Sequence, residues 1–152
     1  MLRKTTILAA ALASLPLALP AAAADPKADA EAFYAAFAKG LNGNDVDGLL
    51  ALYAAEASFV PQPGVELTKR EDIAGALAQF TQMSDDFQVS LRAAYASGDT
   101  VLAIADWTLT GKDASGQPLT LKGSTSDVLV RGADGRLVAL IDNPFGSAAP
   151  AK

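Results

Sequence analysis

The chain has 152 residues, 51% of them apolar and 19% charged, with 17 acidic residues against 12 basic ones. An acidic chain without a basic stripe argues against nucleic acid and against anionic membrane surfaces as partners. It holds neither cysteine nor histidine. That excludes disulfides, thiol nucleophiles, Ser-His-Asp and Cys-His catalysis, and nearly every zinc, copper or haem site.

Met1–Ala24 reads as a cleavable signal peptide. Arg3 and Lys4 form a positive start, Ile7–Leu19 an apolar run, and Ala22-Ala23-Ala24 a small-residue cleavage motif. A membrane anchor needs about 20 continuous apolar residues, and Pro16 and Pro20 interrupt this run. The expected mature chain begins at Asp25, is periplasmic or secreted, and has no membrane insertion after cleavage. Residues 25–146 are the expected domain and 147–152 a flexible tail.

Asp25-Pro26 offers an N-cap and a first-turn proline, and Phe33, Phe37 and Leu41 recur on one helical face up to Gly40–Gly43. Asn44 is expected to cap a second helix with Val46, Leu49, Leu50 and Tyr53 inward. Ala57–Val60 reads as a short strand, and Pro61–Gly64 breaks the chain. Thr68-Lys69-Arg70-Glu71 reads as a capping box before a third helix that buries Ile73, Leu77 and Phe80. Beyond Asp86 the apolar period falls to two. Phe87–Ala96, Thr100–Thr110, Pro118–Arg131 and Arg136–Phe145 are the expected strands, separated by glycine-rich turns. Helices first and a strand meander afterwards predict an α+β fold, three helices on one face of a curved antiparallel sheet.

Phe33-Tyr34-Ala35-Ala36-Phe37, Asn44–Tyr53, Ala57–Val60, Asp127-Val128 and the closing Ile141–Gly146 come in an order and spacing that resemble the nuclear transport factor 2-like superfamily. Within it, the SnoaL-like and ketosteroid-isomerase-homologue branch is the nearest likeness. The resemblance implies a cone-shaped, cystatin-like α+β barrel, often dimeric through the outer sheet face. It also implies a test. Ketosteroid isomerases pair a tyrosine and a protonated aspartate as oxyanion hole with a second aspartate as base. Aligned through Asn44–Gly48, the tyrosine position falls on Phe37 and the base on Pro61, leaving only Asp127. That argues against steroid isomerisation.

Alternation places Leu129, Thr125 and Leu121 on the same face as Asp127, and Ala103, Ala105 and Trp107 inward on the preceding strand. On the last strand it assigns Val138, Leu140 and Asp142 to the pocket. The expected pocket is therefore apolar and aromatic, with Phe33, Phe37, Tyr53, Trp107, Leu129 and Leu140 on its walls. Asp127 and Asp142 are the candidate catalytic pair, because neighbouring buried carboxyls can divide acid and base duties. The plainer roles are a backbone acceptor for Asp127 and an Asx turn for Asp142-Asn143-Pro144. Tyr34, Tyr53 and Tyr95 are either donors to a ligand or plain core.

No cofactor motif is present: there is no glycine-rich phosphate loop and no Walker lysine. Asn42–Gly48 has the oxygen-rich flavour of a calcium loop, but Gly43 and Ala54 stand where acids are needed, so no metal is expected. The leading expectation is an exported domain that binds a small, largely apolar molecule. The alternatives are an acid–base isomerase, cyclase or hydrolase using Asp127 and Asp142, and a dimeric interaction module with a closed cavity. Leu102, Ile104 and Val128 on the outer face favour a homodimer in each case.

Overall fold

A computed structural model describes residues 25–146; the expected signal peptide and tail lie outside them. The elements are α1 (Pro26–Asn42), α2 (Val46–Leu50), β1 (Tyr53–Gln62), β2 (Val65–Leu67), α3 (Arg70–Met83), β3 (Ser84–Ser97), β4 (Thr100–Lys112), β5 (Pro118–Arg131) and β6 (Leu137–Asp142). Among the described residues no helix is long and apolar enough to cross a membrane.

The Asp25 carboxylate accepts from the Lys27 and Ala28 N–H groups at 3.0 and 3.3 Å, so α1 starts where its cap dictates. At its other end Asn42 spans the backbone of Phe87. Its Nδ2 donates to the Phe87 carbonyl at 2.9 Å, and the Phe87 N–H donates to its Oδ1 at 2.7 Å. The amide thus imitates a neighbouring strand and pins the helix to β3, an edge of the sheet.

The second helix departs from expectation. Asn44 takes a left-handed φ of 52°, and Asp45 caps instead, accepting from the Gly48 N–H at 2.9 Å. The helix stops at Leu50, and Tyr53 begins a strand. The Ala139 N–H bonds the Leu52 carbonyl at 2.8 Å, so pairing with β6 claims the backbone that a longer helix would have used. The capping box at Thr68 does not form either. Lys69 is the N-cap of α3 and makes no side-chain cap bond, and burial of Ile73 and Leu77 holds that helix.

The sheet is six-stranded in the order β2-β1-β6-β5-β4-β3. It is mixed rather than wholly antiparallel, because β6 returns parallel to β1 while every other pair is antiparallel. The helices lie on one face, α1 mainly against β3 and α3 against β1 and α2. Between β5 and β6 the register slips. Leu129 faces Ala139 but Val128 faces Ile141, so Leu140 is an extra residue, a β-bulge. On the opposite, outer face, Tyr95, Leu102, Val128 and Ile141 pair in succession and form one lateral row across β3, β4, β5 and β6. Tyr95, Leu102 and Ile141 are 63%, 41% and 39% exposed.

Candidate functional site

A cavity of about 50 Å³ lies between α1, α3 and the inner face of the sheet. Eleven of its fifteen lining side chains are apolar. Its walls are dominated by aromatic rings in contact, Phe37 with Phe87 at 6.0 Å, Phe87 with Trp107 at 6.1 Å and Phe59 with Phe80 at 6.1 Å between centroids. The polar groups are Tyr34, Thr125, Asp127 and Asp142. For scale, a cavity of about 150 Å³ holds benzene. This one has room for a few waters or a slender chain.

Asp127 on β5 accepts the Tyr34 hydroxyl of α1 on Oδ2 at 2.7 Å and the Asn143 N–H on Oδ1 at 2.8 Å. Both of its oxygens are occupied by donors. Asp142 on β6 accepts the Tyr53 hydroxyl on Oδ2. The Thr125 hydroxyl, two residues before Asp127 on the same strand face, is buried without a hydrogen-bond partner. The turn after β6 closes this end. Trp107 Nε1 donates to the Pro144 carbonyl at 2.7 Å, Asn143 Nδ2 donates to the Gly146 carbonyl at 2.8 Å, and Phe145 packs edge-on against Trp107. Gly123 permits the tryptophan: a Cβ there would stand 2.6 Å from its ring.

Burial pushes the Asp142 carboxyl well up, and the negative charge of Asp127 pushes it further, with only the Tyr53 hydrogen bond opposing. Burial also raises Asp127, but the hydrogen bonds from the Tyr34 hydroxyl and the Asn143 N–H favour its charged form. Asp127 accepts from two donors and Asp142 from one, so the proton of the pair belongs on Asp142 and the charge on Asp127. Burial, then the neighbouring carboxylates, raise both tyrosines, so they stay neutral donors.

Among the expected wall residues, Phe33, Phe37 and Trp107 line the cavity together with Asp127 and Asp142. Tyr53 and Leu129 are buried in the core behind it, and Tyr53 reaches the site through its hydroxyl on Asp142. Leu140 does not line it, and Val138 does not either. The bulge shifts their parity, so Leu137, Ala139 and Asp142 are the buried residues of β6. Tyr95 is neither core nor ligand donor, since it stands on the outer face. Alternation and helical spacing did not single out Phe59, Phe80, Phe87 and Pro144 as walls. The alternation of Phe87 and Val89 was the available signal for β3.

The SnoaL-like domain family model matches residues 30–140. The chain belongs to the SnoaL-like domain family. No curated protein matches it with significant sequence similarity. Among solved structures, this SnoaL-like chain is similar to a ketosteroid isomerase-like protein from Erwinia carotovora atroseptica, with TM-score 0.68 and 15% identity over 78% of this chain and 93% of that one. It is also similar to ActVI-ORFA from Streptomyces coelicolor, with TM-score 0.59 and 24% identity over 76% and 92%. A third similar structure, from Catenulispora acidiphila in complex with S-DNPA, has TM-score 0.60 and 21% identity over 76% and 88%. The shared fold is the nuclear transport factor 2-like α+β fold, here with helices against a six-stranded mixed sheet.

Proposed function

We propose that this SnoaL-like chain is exported and takes a small, largely apolar molecule into its cavity, holding it against the carboxyl pair. The observation that carries the reading is an aromatic cavity with two buried carboxyls and an unpartnered hydroxyl at one end. A buried polar group costs stability unless it is hydrogen-bonded, and the Thr125 hydroxyl is not. A structural core would place leucine there. The Catenulispora acidiphila complex with S-DNPA supports ligand binding in this fold. Native mass spectrometry of protein recovered from its own cell envelope or medium tests it. A co-purifying small mass is expected, lost in Val89→Phe, which fills the wall. A bare protein whose Trp107 emission responds to no apolar compound overturns the reading.

An acid–base reaction on that ligand is the second reading, favoured by the unequal placing of the proton between Asp142 and Asp127. The tyrosine missing at Phe37 is supplied one turn earlier by Tyr34, whereas Pro61, at the base position, borders an outer groove and not this cavity. Isomerase-type chemistry here would use Asp142 as acid and Asp127 as base. The recovered ligand should then be converted on incubation with the wild type, to an isomer of equal mass and different chromatographic retention, and not with Asp142→Asn. We also propose a homodimer through the outer row, with no cofactor, metal or nucleic acid.

A further inference from the structure

The cavity carries acid and no base. Asp127 and Asp142 are its only ionisable carboxyls, and no lysine or arginine lines it among the described residues. The groups facing Asp142 are Asp127 from β5, Tyr53 from β1 and Tyr34 from α1; α3, β3 and β4 contribute Leu77, Phe80, Phe87 and Trp107. None of these can neutralise a carboxylate. A buried acidic pair without a counter-cation is costly to the fold, and removal of that cost is available to any ligand that brings a positive charge.

We propose that the ligand is an organic cation, a primary or secondary ammonium on a slender apolar body, whose nitrogen sits between Asp142 and the Thr125 hydroxyl. This rests on the reading of the cavity as a ligand site and names the ligand class. Asp127 has both oxygens already engaged by Tyr34 and Asn143. Asp142 has one bond, from Tyr53, and the Thr125 hydroxyl has none. Those two are the open polar groups, and both can accept an N–H donor. The rings of Phe37, Phe87 and Trp107 present faces and edges within the same cavity, a setting that favours a cation over a neutral group of equal size. A neutral oxygen would satisfy Thr125 but would leave the acidic pair as it is. An ammonium satisfies both, and its arrival ionises Asp142, releasing a proton to solvent.

The test uses the full-length protein and three chains of equal length: butylammonium, 1-butanol and butyrate, at pH 7.5 and constant ionic strength. The single tryptophan of the chain, Trp107, reports binding from the cavity wall. Butylammonium is expected to bind about tenfold or more tighter than 1-butanol, the size of a charge-assisted hydrogen bond, with butyrate weakest. In Asp142→Asn that preference falls to within about threefold. Calorimetry of the wild type in two buffers of different ionisation heat should show proton release with butylammonium and none with 1-butanol, a readout that needs no variant to fold. Equal binding of amine and alcohol, or no proton release, overturns the cationic ligand and leaves the apolar-ligand reading standing. Absence of binding by all three overturns both.

Discussion

Tyr34 donates its hydroxyl to Asp127 across 2.7 Å, tying the first helix to the fifth strand over 93 residues of sequence. The donor serves the charged form of a buried carboxyl, and such bonds are worth about 1.5–3 kcal/mol. Tyr34→Phe should therefore lose about 2 kcal/mol at pH 7 by urea titration. The loss should shrink as pH falls through the raised Asp127 value, because the protonated carboxyl no longer needs the bond.

The two aspartates should respond differently to the same change. Asp127→Asn puts an amide NH₂ among donors that served a carboxylate, and should destabilise by about 1–2 kcal/mol. Asp142 is the protonated partner and accepts one hydroxyl, so Asp142→Asn keeps its shape and bond. Its stability should stay within about 0.5 kcal/mol of wild type or rise. Equal destabilisation of both would refute the assignment of the proton.

Stability should fall as pH rises. The folded Asp127 and Asp142 carboxyls are raised above the unfolded value of about 3.9. The native state therefore binds more protons than the unfolded one across that window, and its stability is fullest near the lower end and lost as pH climbs through the folded values. The exposed Asp113 and Asp134 are lowered and oppose this only at the acid extreme. Tyr34 and Tyr53 repeat the trend above about pH 10, where unfolded tyrosine ionises and the folded ones do not. A higher Tm at pH 5 than at pH 8, flattened in Asp142→Asn, is the expected scan.

Gly123→Ala should displace Trp107, because the new Cβ would stand 2.6 Å from the ring. Overpacking of this kind costs about 1–3 kcal/mol. The indole would lose its 2.7 Å bond to Pro144, and tryptophan emission should shift to the red.

The outer row of Tyr95, Leu102, Val128 and Ile141 should be covered by a second copy. Leu102→Lys places an unpaired charge at its middle and should turn a dimer into a monomer in sedimentation, with the cavity unaffected. The same Leu102 side chain is already 41% exposed in one chain, so folding itself should tolerate the change.

Intact mass of the exported protein should begin at Asp25. Retention of Met1–Ala24 would refute the reading of that segment.

The helical stripe of Phe33 and Phe37 and the inward faces of β4 and β5 were legible because strict periodicity reports burial directly. Tyr53 was not, because its helical spacing competed with a parallel pairing to β6 that only tertiary structure supplies. Leu140 failed for another reason. Period two assumes an unbroken ladder, and nothing in Leu137–Asp142 marks the extra residue. The Tyr34–Asp127 couple was half legible: the aspartate followed from the resemblance, but its partner sits one turn from the position the resemblance indicated.

The bulge at Leu140 also says what makes this cavity acidic. Continuing the register beyond Val128 and Ile141 sets Asp142 beside Asp127; had the ladder run on from Leu129 and Ala139 with Leu140 paired, Ile141 would take that place and Asp142 would turn to the outer face. Strand register, as much as residue choice, thus sets the charge at the cavity's closed end. Deleting Leu140 would straighten the ladder and still leave Asp142 opposite Asp127, whereas taking Leu140 into the ladder opposite Val128 would put the Ile141 hydrocarbon there. Two chains with the same residues on this strand would differ in their acidic floor by register alone, a difference that comparison by residue identity would not record.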